Sequence, residues 1–288
     1  MIKTKKLNNT FLAILISIII FFSFILYLSI PVFFDYKSIE SKLENNIYKE
    51  FKINLNILGK ISYKVLPLPH LLVEKANLSL DNFTNKSTIT EIKNLKLLIP
   101  INKLYSKADI KLDKLEITNA NFKYSLKDLK DFRKHFLYKI NKPIKISKSK
   151  IFILDKDKNT ILISPIKNLK YFINTKSQLK HLKIKGNLFD INYNTSWKKY
   201  YDEPNKTHNQ IKFNYPNITI KNIFNLDSDT NFEGNTTIKF LDENIVINYL
   251  LKDNKILVTP PNENNNLEIL INSKIDLQPF DFKTQLTF

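Results

Sequence analysis

The chain of 288 residues has no cysteine and only three glycines. This composition excludes disulfides, thiolate metal sites, a cysteine nucleophile and glycine-rich phosphate loops. Its formal net charge of +18 comes from lysines spread over nearly every segment. Nucleic-acid binding is therefore not indicated, and attraction to anionic membrane surfaces is the functional alternative for this charge. The four histidines lack metal-ligand spacing, so we expect no metal site, no cofactor and no enzymatic activity.

An uncharged apolar stretch occupies residues 11–34. As a helix it would be about 36 Å long, enough to cross a hydrocarbon core of about 30 Å. It exceeds the apolar core of a signal peptide, about 7–15 residues, and no small-residue cleavage site follows it, so the sequence predicts an uncleaved transmembrane helix. Lys3, Lys5 and Lys6 favour a cytoplasmic segment at residues 1–10, with the rest of the chain outside the cytoplasm.

A short amphipathic helix is predicted directly after the span. Ile39, Leu43, Ile47 and Phe51 recur every fourth residue and form one apolar stripe. We expect this stripe to cover the open end of a following sheet. The alternative is a helix that lies on the bilayer surface.

From residue 53 onward the apolar period changes to two, which predicts β-strands. Gly59 interrupts the first long strand at an apolar position, where a bulge or kink is expected. Pro67 and Pro69 end that strand because proline cannot donate to a ladder. Further alternating strands follow up to about residue 125.

A capping box at residues 125–128 predicts a helix near 126–140, which Pro143 ends. This proline marks the expected boundary between a region at 35–142 and a β-rich continuation at 143–288. The second region shows only alternating strands and turns rich in Asn and Asp. Gly59, Gly186 and Gly234 each follow an alternating apolar run, a faint repeat that suggests stacked hairpins.

The segment at residues 59–80, GKISYKVLPLPHLLVEKANLSL, resembles the N-terminal region of the AsmA family. The order of the parts agrees as well: an anchor, a short helix, a strand with a glycine, a Leu-Pro-x-Pro turn and a second strand. The resemblance covers about residues 1–125 and is only architectural beyond them. It implies a bacterial inner-membrane protein with a periplasmic body, a role in outer-membrane assembly, including regulation of protein targeting to the membrane, and phospholipid traffic.

The family fold implies an elongated, curved antiparallel β-sheet whose groove has an apolar inner face. In such a groove, acyl chains could replace part of the second layer that an apolar sheet face requires. The positions expected to line the groove share the apolar parity of the first strands, and they are Ile61, Tyr63, Val65, Ala76, Leu78, Leu95, Leu97, Phe122 and Tyr124.

A closed β-sandwich that binds envelope proteins without a lipid path is the alternative function. In that case the same nine residues would form an ordinary core. The last residues, FDFKTQLTF, read as an unfinished strand whose open edge could accept a strand from a protein partner.

Overall fold

In the part of the chain that the structure describes there are two α-helices and 17 strands, with short 3-10 turns. The computed structural model describes residues 9–80, 90–105, 110–125, 139–155, 157–226, 232–252, 255–259, 270–277 and 280–287. The helix predicted near 126–140 falls largely outside these residues. The helices are α1 (Asn9–Ser29), which a 3-10 turn at Ile30–Phe33 extends, and α2 (Glu40–Phe51). Over the first part of the chain the strands are β1 (Ile53–Ile57), β2 (Ile61–Lys64), β3 (His70–Val73), β4 (Ala76–Leu80), β5 (Thr90–Leu98), β6 (Lys114–Ser125), β7 (Ile144–Leu154), β8 (Thr160–Asn174) and β9 (Leu179–Leu188).

The remaining strands follow one another through short turns. They are β10 (Ile191–Tyr200), β11 (Lys206–Phe213), β12 (Ile218–Leu226), β13 (Phe232–Phe240), β14 (Glu243–Lys252), β15 (Lys255–Thr259), β16 (Leu270–Leu277) and β17 (Phe280–Thr287).

All 17 strands belong to one large, open, curved sheet. At its first edge β1 pairs with β4 and β2 with β3, and both β3 and β4 pair with β5. From β5 to β17 each strand pairs with the next one in the chain. The prediction of a mainly β fold with an N-terminal apolar helix is confirmed. The described strands form this single sheet and not the two facing sheets of a sandwich.

One pair departs from the expected antiparallel order. Strands β6 and β7 run parallel, which requires a crossover between them, and residues 126–143 provide that connection. The expected boundary at 142/143 therefore lies between two strands that pair directly, and the sheet continues across it.

Helix α2 covers the beginning of the sheet. Its stripe residues Leu43, Ile47 and Phe51 have no exposed surface. Two carboxylates of the helix bind strand and loop backbone: Glu44 accepts from the Ile57 N–H at 2.7 Å, and Glu50 accepts from the Leu112 N–H at 3.2 Å. The stripe thus faces the sheet, as predicted, and not a bilayer.

The C-terminal end of α1 is bound to the sheet by tyrosines. The last carbonyls of a helix lack intrahelical partners. Tyr63 on β2 donates its hydroxyl to the Leu28 carbonyl at 2.9 Å, and Tyr105 donates to the Tyr27 carbonyl. Tyr36 stacks on Tyr63 with ring centroids 6.3 Å apart. These bonds fix the direction in which the apolar helix leaves the sheet.

A crease crosses the sheet where the burial pattern changes phase. Asn119 in β6 and Lys148 in β7 have left-handed backbone conformations, with φ of 58° and 49°, and β8 has a register shift between Ile166 and Asn168. Before each irregularity the buried residues are at every second position of the strand, and after it they are at the alternate positions. The extra residue compensates for this change, so the buried side chains stay on the same face of the sheet. The Ser149 hydroxyl accepts from the Ala120 N–H at 3.1 Å, so this backbone donor stays paired at the crease.

Two of the three glycines lie directly opposite a tyrosine. Gly186 faces Tyr193, and Gly234 faces Tyr249. Each tyrosine ring lies over the glycine on the neighbouring strand, and its hydroxyl reaches the strand beyond. The Tyr249 hydroxyl donates to Asn222 Oδ1 on β12 at 3.0 Å. The Tyr193 hydroxyl forms a hydrogen bond with the Ser164 hydroxyl on β8 at 3.1 Å. The faint sequence repeat therefore corresponds to two copies of one ring-over-glycine arrangement.

We predict that Gly234→Ala lowers the free energy of unfolding by about 1–3 kcal/mol, because the added Cβ overpacks the site. It would lie 2.6 Å from the Tyr249 hydroxyl and 2.8 Å from the Ile223 carbonyl. Thermal unfolding of the full chain in detergent, followed by circular dichroism, measures this loss. Thr236→Ala on the same strand is the control, and equal stability of the two variants would contradict the prediction.

Candidate functional site

One row of side chains crosses the sheet and shows where its apolar face is covered. Through the strand registers, each member lies directly opposite the next on one face. From β5 to β14 the row runs Leu95, Ile117, Ile146, Leu169, Ile184, Thr195, Ile211, Ile220, Ile238 and Ile245. The first four are at most 2% exposed, and all six that follow are half-buried. We call this face the inner face.

The inner face of β10–β16 is apolar but incompletely covered. We call it the open face. Its half-buried apolar residues include Tyr193, Ile211, Phe213, Ile218, Ile220, Ile238, Ile245, Ile247, Tyr249, Ile256, Val258 and Ile275. Phe224 and Phe232 on the same face are buried. Seven strands at a spacing of about 4.8 Å make it roughly 29 Å across, close to the thickness of a bilayer hydrocarbon core, about 30 Å. An apolar surface of this length is typical of an interaction site.

The nine residues predicted to line a groove lie elsewhere, at the covered end of the sheet. Seven of them belong to the packed core, namely Tyr63, Ala76, Leu78, Leu95, Leu97, Phe122 and Tyr124. Ile61 and Val65 are half-buried and pack against that core. The packed part of the core ends near Leu182, with Ile184 and Trp197 at its margin. The structure thus brings the nine together, but as an interior, and their lipid role stays a prediction.

A cavity of about 750 Å³ adjoins the end of the apolar helix. Val32, Phe34 and Tyr36 form one wall, and the segment around Gly59 forms another. Gly59 lies between β1 and β2, and a Cβ there would meet the Lys75 backbone nitrogen at 2.7 Å, which explains the predicted kink. Pro67 and Pro69 lie in the turn before β3, as predicted. In the sheet, the packed core lies between this cavity and the open face.

Two lysines interrupt the inner face where β9 begins and β10 ends. Lys180 and Lys199 lie directly opposite each other, in line with Leu182 and Trp197 of the same strands. Lys180 is only 8% exposed, and its ammonium group donates to Asn141 Oδ1 at 2.8 Å and to the Ile140 carbonyl at 3.4 Å. The sequence carried a signal for both: each is charged at an apolar position of its strand.

Burial shifts the protonation of this pair. It lowers the pKa of Lys180 below the usual value. Burial, together with the nearby charge of Lys180, lowers the pKa of Lys199 to about 8. Both shifts mean that the folded protein disfavours the two positive charges at this position.

Among the described residues, no group of three or more His, Asp or Glu side chains is placed to hold a metal ion. Comparisons of the chain with protein-family models, curated proteins and solved structures give no match. The resemblance to the AsmA family therefore stays a prediction carried by residues 59–80 and by the order of the elements.

The depressed pKa of Lys199 predicts that the protein becomes more stable between pH 8 and pH 10. In this window the folded lysine has lost its proton while the unfolded one, with a usual pKa of 10.5, still holds it. The unfolded state then binds more protons, so the free energy of unfolding rises with pH. The window ends at pH 10, where tyrosines of the unfolded chain begin to ionise.

Melting temperatures of the full chain in detergent at several pH values measure this slope. Lys199→Met should melt higher than the wild type at pH 7 and should show a smaller rise up to pH 10. Lys198→Met, the neighbour on the opposite face, should keep the wild-type slope. Identical slopes in the two variants would refute the assignment of the titration to Lys199.

Proposed function

We propose that this protein binds phospholipid through the acyl chains, which lie on the open face, while α1 anchors the chain in a membrane. The observation that supports this most directly is the row of side chains across the sheet. It stays aliphatic from Ile211 to Ile245 after the packed core has ended. A sheet face of this kind normally lies against a second layer, and acyl chains have the chemistry to form one.

Burial of apolar area would supply the affinity. Each methylene that leaves water contributes about 0.8 kcal/mol, and this contribution has no directional requirement. The open face is about as long as two acyl chains end to end, since one leaflet of hydrocarbon is about 15 Å thick. Binding of whole chains is therefore possible without a pocket shaped for one lipid.

The helix and the turn after it, Asn9–Phe33, are together long and apolar enough to cross a membrane. We propose a bacterial inner-membrane location with the N-terminus in the cytoplasm and the sheet in the periplasm. The lysines at positions 3, 5 and 6 and the AsmA resemblance support this orientation. A contribution to outer-membrane assembly belongs to the same proposal. Because the packed core separates the cavity from the open face, a lipid has no continuous apolar path along the whole described sheet. This arrangement favours lipid binding over lipid conduction.

A protein partner is the second candidate, and one observation favours it. Among the described strands, β17 pairs with β16 alone. Its other edge presents backbone groups that a strand of an envelope protein could pair with, which is a common mode of recognition. Such pairing would continue the sheet and leave the open face available.

The single tryptophan offers a direct test of lipid binding. Trp197 lies on the inner face at the margin of the open face, and the sequence contains no other tryptophan. We expect phospholipid with brominated acyl chains to quench its fluorescence in the full chain held in an uncharged detergent. Absence of quenching at saturating lipid would refute the proposal.

Two isoleucines of β12 provide a matched pair of variants. Ile220 lies on the open face, and Ile223 is exposed on the opposite face. Ile220→Glu should lower the affinity for brominated lipid, measured by quenching, by about tenfold or more. The reason is that the introduced carboxylate must be desolvated when an acyl chain covers it. Ile223→Glu should bind lipid as the wild type does. Equal affinities would show that the lipid lies elsewhere.

A further inference from the structure

Two neighbouring turns at one end of the covered part of the sheet carry exposed apolar side chains. The first, at residues 65–69, joins β2 to β3, and the second, at residues 99–105, follows β5. We call them the apolar turns. They lie side by side, because β3 pairs with β5 and the Ile99 N–H donates to the Pro69 carbonyl at 3.2 Å. Their exposed side chains therefore belong to one surface of the molecule.

This surface is apolar and basic. Leu66 is 79% exposed, Leu68 56% and Ile101 42%. Single exposed apolar residues are normal on a protein, but a group of them in adjacent turns marks an interaction site. The sequence of the two turns contains no acidic residue, and Lys64 and Lys103 add positive charge beside and within them. The surface therefore suits a partner that is apolar and carries negative charge at its boundary.

Tyrosines bind both turns to the end of α1. Tyr63, two residues before the first turn, donates its hydroxyl to the Leu28 carbonyl at 2.9 Å. Tyr105, the last residue of the second turn, donates to the Tyr27 carbonyl. The rings of Tyr105 and Tyr27 are also in contact, with centroids 4.9 Å apart. The apolar turns are therefore held beside the helix at the level of Tyr27 and Leu28.

This level of α1 coincides with the edge of a bilayer that the helix would span. The apolar segment Asn9–Phe33 has 25 residues, whereas about 20 suffice to cross a hydrocarbon core of about 30 Å. The surplus of about five residues puts the edge of the hydrocarbon between Leu28 and Phe33. At about 1.5 Å per residue, Tyr27 is then within about 10 Å of that edge. Tyrosine is enriched at this depth of membrane proteins, where its ring is apolar and its hydroxyl is polar.

We propose that the apolar turns dock into the headgroup layer of the bilayer that α1 spans, with Leu66, Leu68 and Ile101 inserted beside the helix. This inference rests on the membrane anchor of the proposed function and adds a second contact to it. Insertion removes the three side chains from water, and Lys64 and Lys103 would lie among anionic headgroups. A single helix lets the sheet rotate over the membrane, whereas the helix and the turns together fix its orientation.

The absence of cysteine from the chain makes a site-specific test direct. Leu66→Cys, Leu68→Cys and Ile101→Cys each carry an environment-sensitive fluorophore in the full chain, held in nanodiscs of phosphatidylethanolamine and phosphatidylglycerol. Spin-labelled lipid, with the label near the headgroup or near the end of the acyl chain, quenches a fluorophore at its own depth. Ile20→Cys reports the centre of α1. The matched control is Ile163→Cys, at an isoleucine that is 47% exposed near the start of β8, whereas the end of β8 is in line with the end of β5.

We expect the fluorophores at the three turn positions to be quenched more strongly by the label near the headgroup than by the label near the chain end. The fluorophore at position 20 should show the opposite order. The fluorophore at position 163 should be quenched by neither lipid and should be fully accessible to a quencher dissolved in water. Melting temperatures equal to that of the wild type show that the variants are folded, as expected for exposed positions.

The other outcomes separate the docking of the turns from the anchor. If position 20 is quenched while the turn positions are as accessible to water as position 163, docking is overturned and the anchor stands. No quenching at position 20 would refute the anchor, and the docking with it. Stronger quenching of the turn positions by the label near the chain end would overturn the proposed depth. None of these results depends on lipid at the open face, which the quenching of Trp197 tests separately.

Discussion

An apolar face of a sheet must be covered, and in this protein the cover ends before the sheet does. On both sides of the crease the inner face alternates with a period of two, so every strand from β5 to β14 presents apolar side chains to the same side. The apolar stripe of α2, together with Ile99, Leu104, Ile110, Leu112 and Ile140, belongs to the same buried core as the strands up to β9. From β10 onward most of the described apolar side chains on this face are half-buried, although Phe224 and Phe232 are buried. The division into an interior and an open face follows from the extent of the cover and not from a change in the strands.

The two parts of the sheet have different mechanical roles. The covered part holds the apolar helix, because Tyr63 bonds the end of α1 and also lies in the core. The open part extends from it by continuous strand pairing, without a second layer among the described residues. If lipid binds as proposed, its acyl chains would lie against this face as a second layer, and binding would then also stabilise the sheet.

Lys180 and Lys199 are charged residues at apolar positions of the inner face, directly opposite each other. Apolar residues at positions 180 and 199 would continue the pattern of their strands and remove the desolvation of two charges. Buried groups with displaced pKa values are concentrated at functional sites in proteins. The location of the pair at the margin of the open face agrees with this general observation.

The sequence by itself determined the apolar helix, the stripe of α2, the strands and the interruptions at Gly59, Pro67 and Pro69, since each depends on a local period or on one residue's backbone. It could not determine which apolar positions are covered. Leu95 and Ile220 have the same alternating pattern, yet Leu95 is buried and Ile220 is half-buried, because burial depends on which segments of the chain pack on that part of the sheet. The parallel pairing of β6 and β7 and the aligned crease at Asn119 and Lys148 also escaped prediction, because contacts between distant segments decide strand direction and register. Only the tertiary structure placed Lys180 opposite Lys199, since strand pairing alone brings these two residues together.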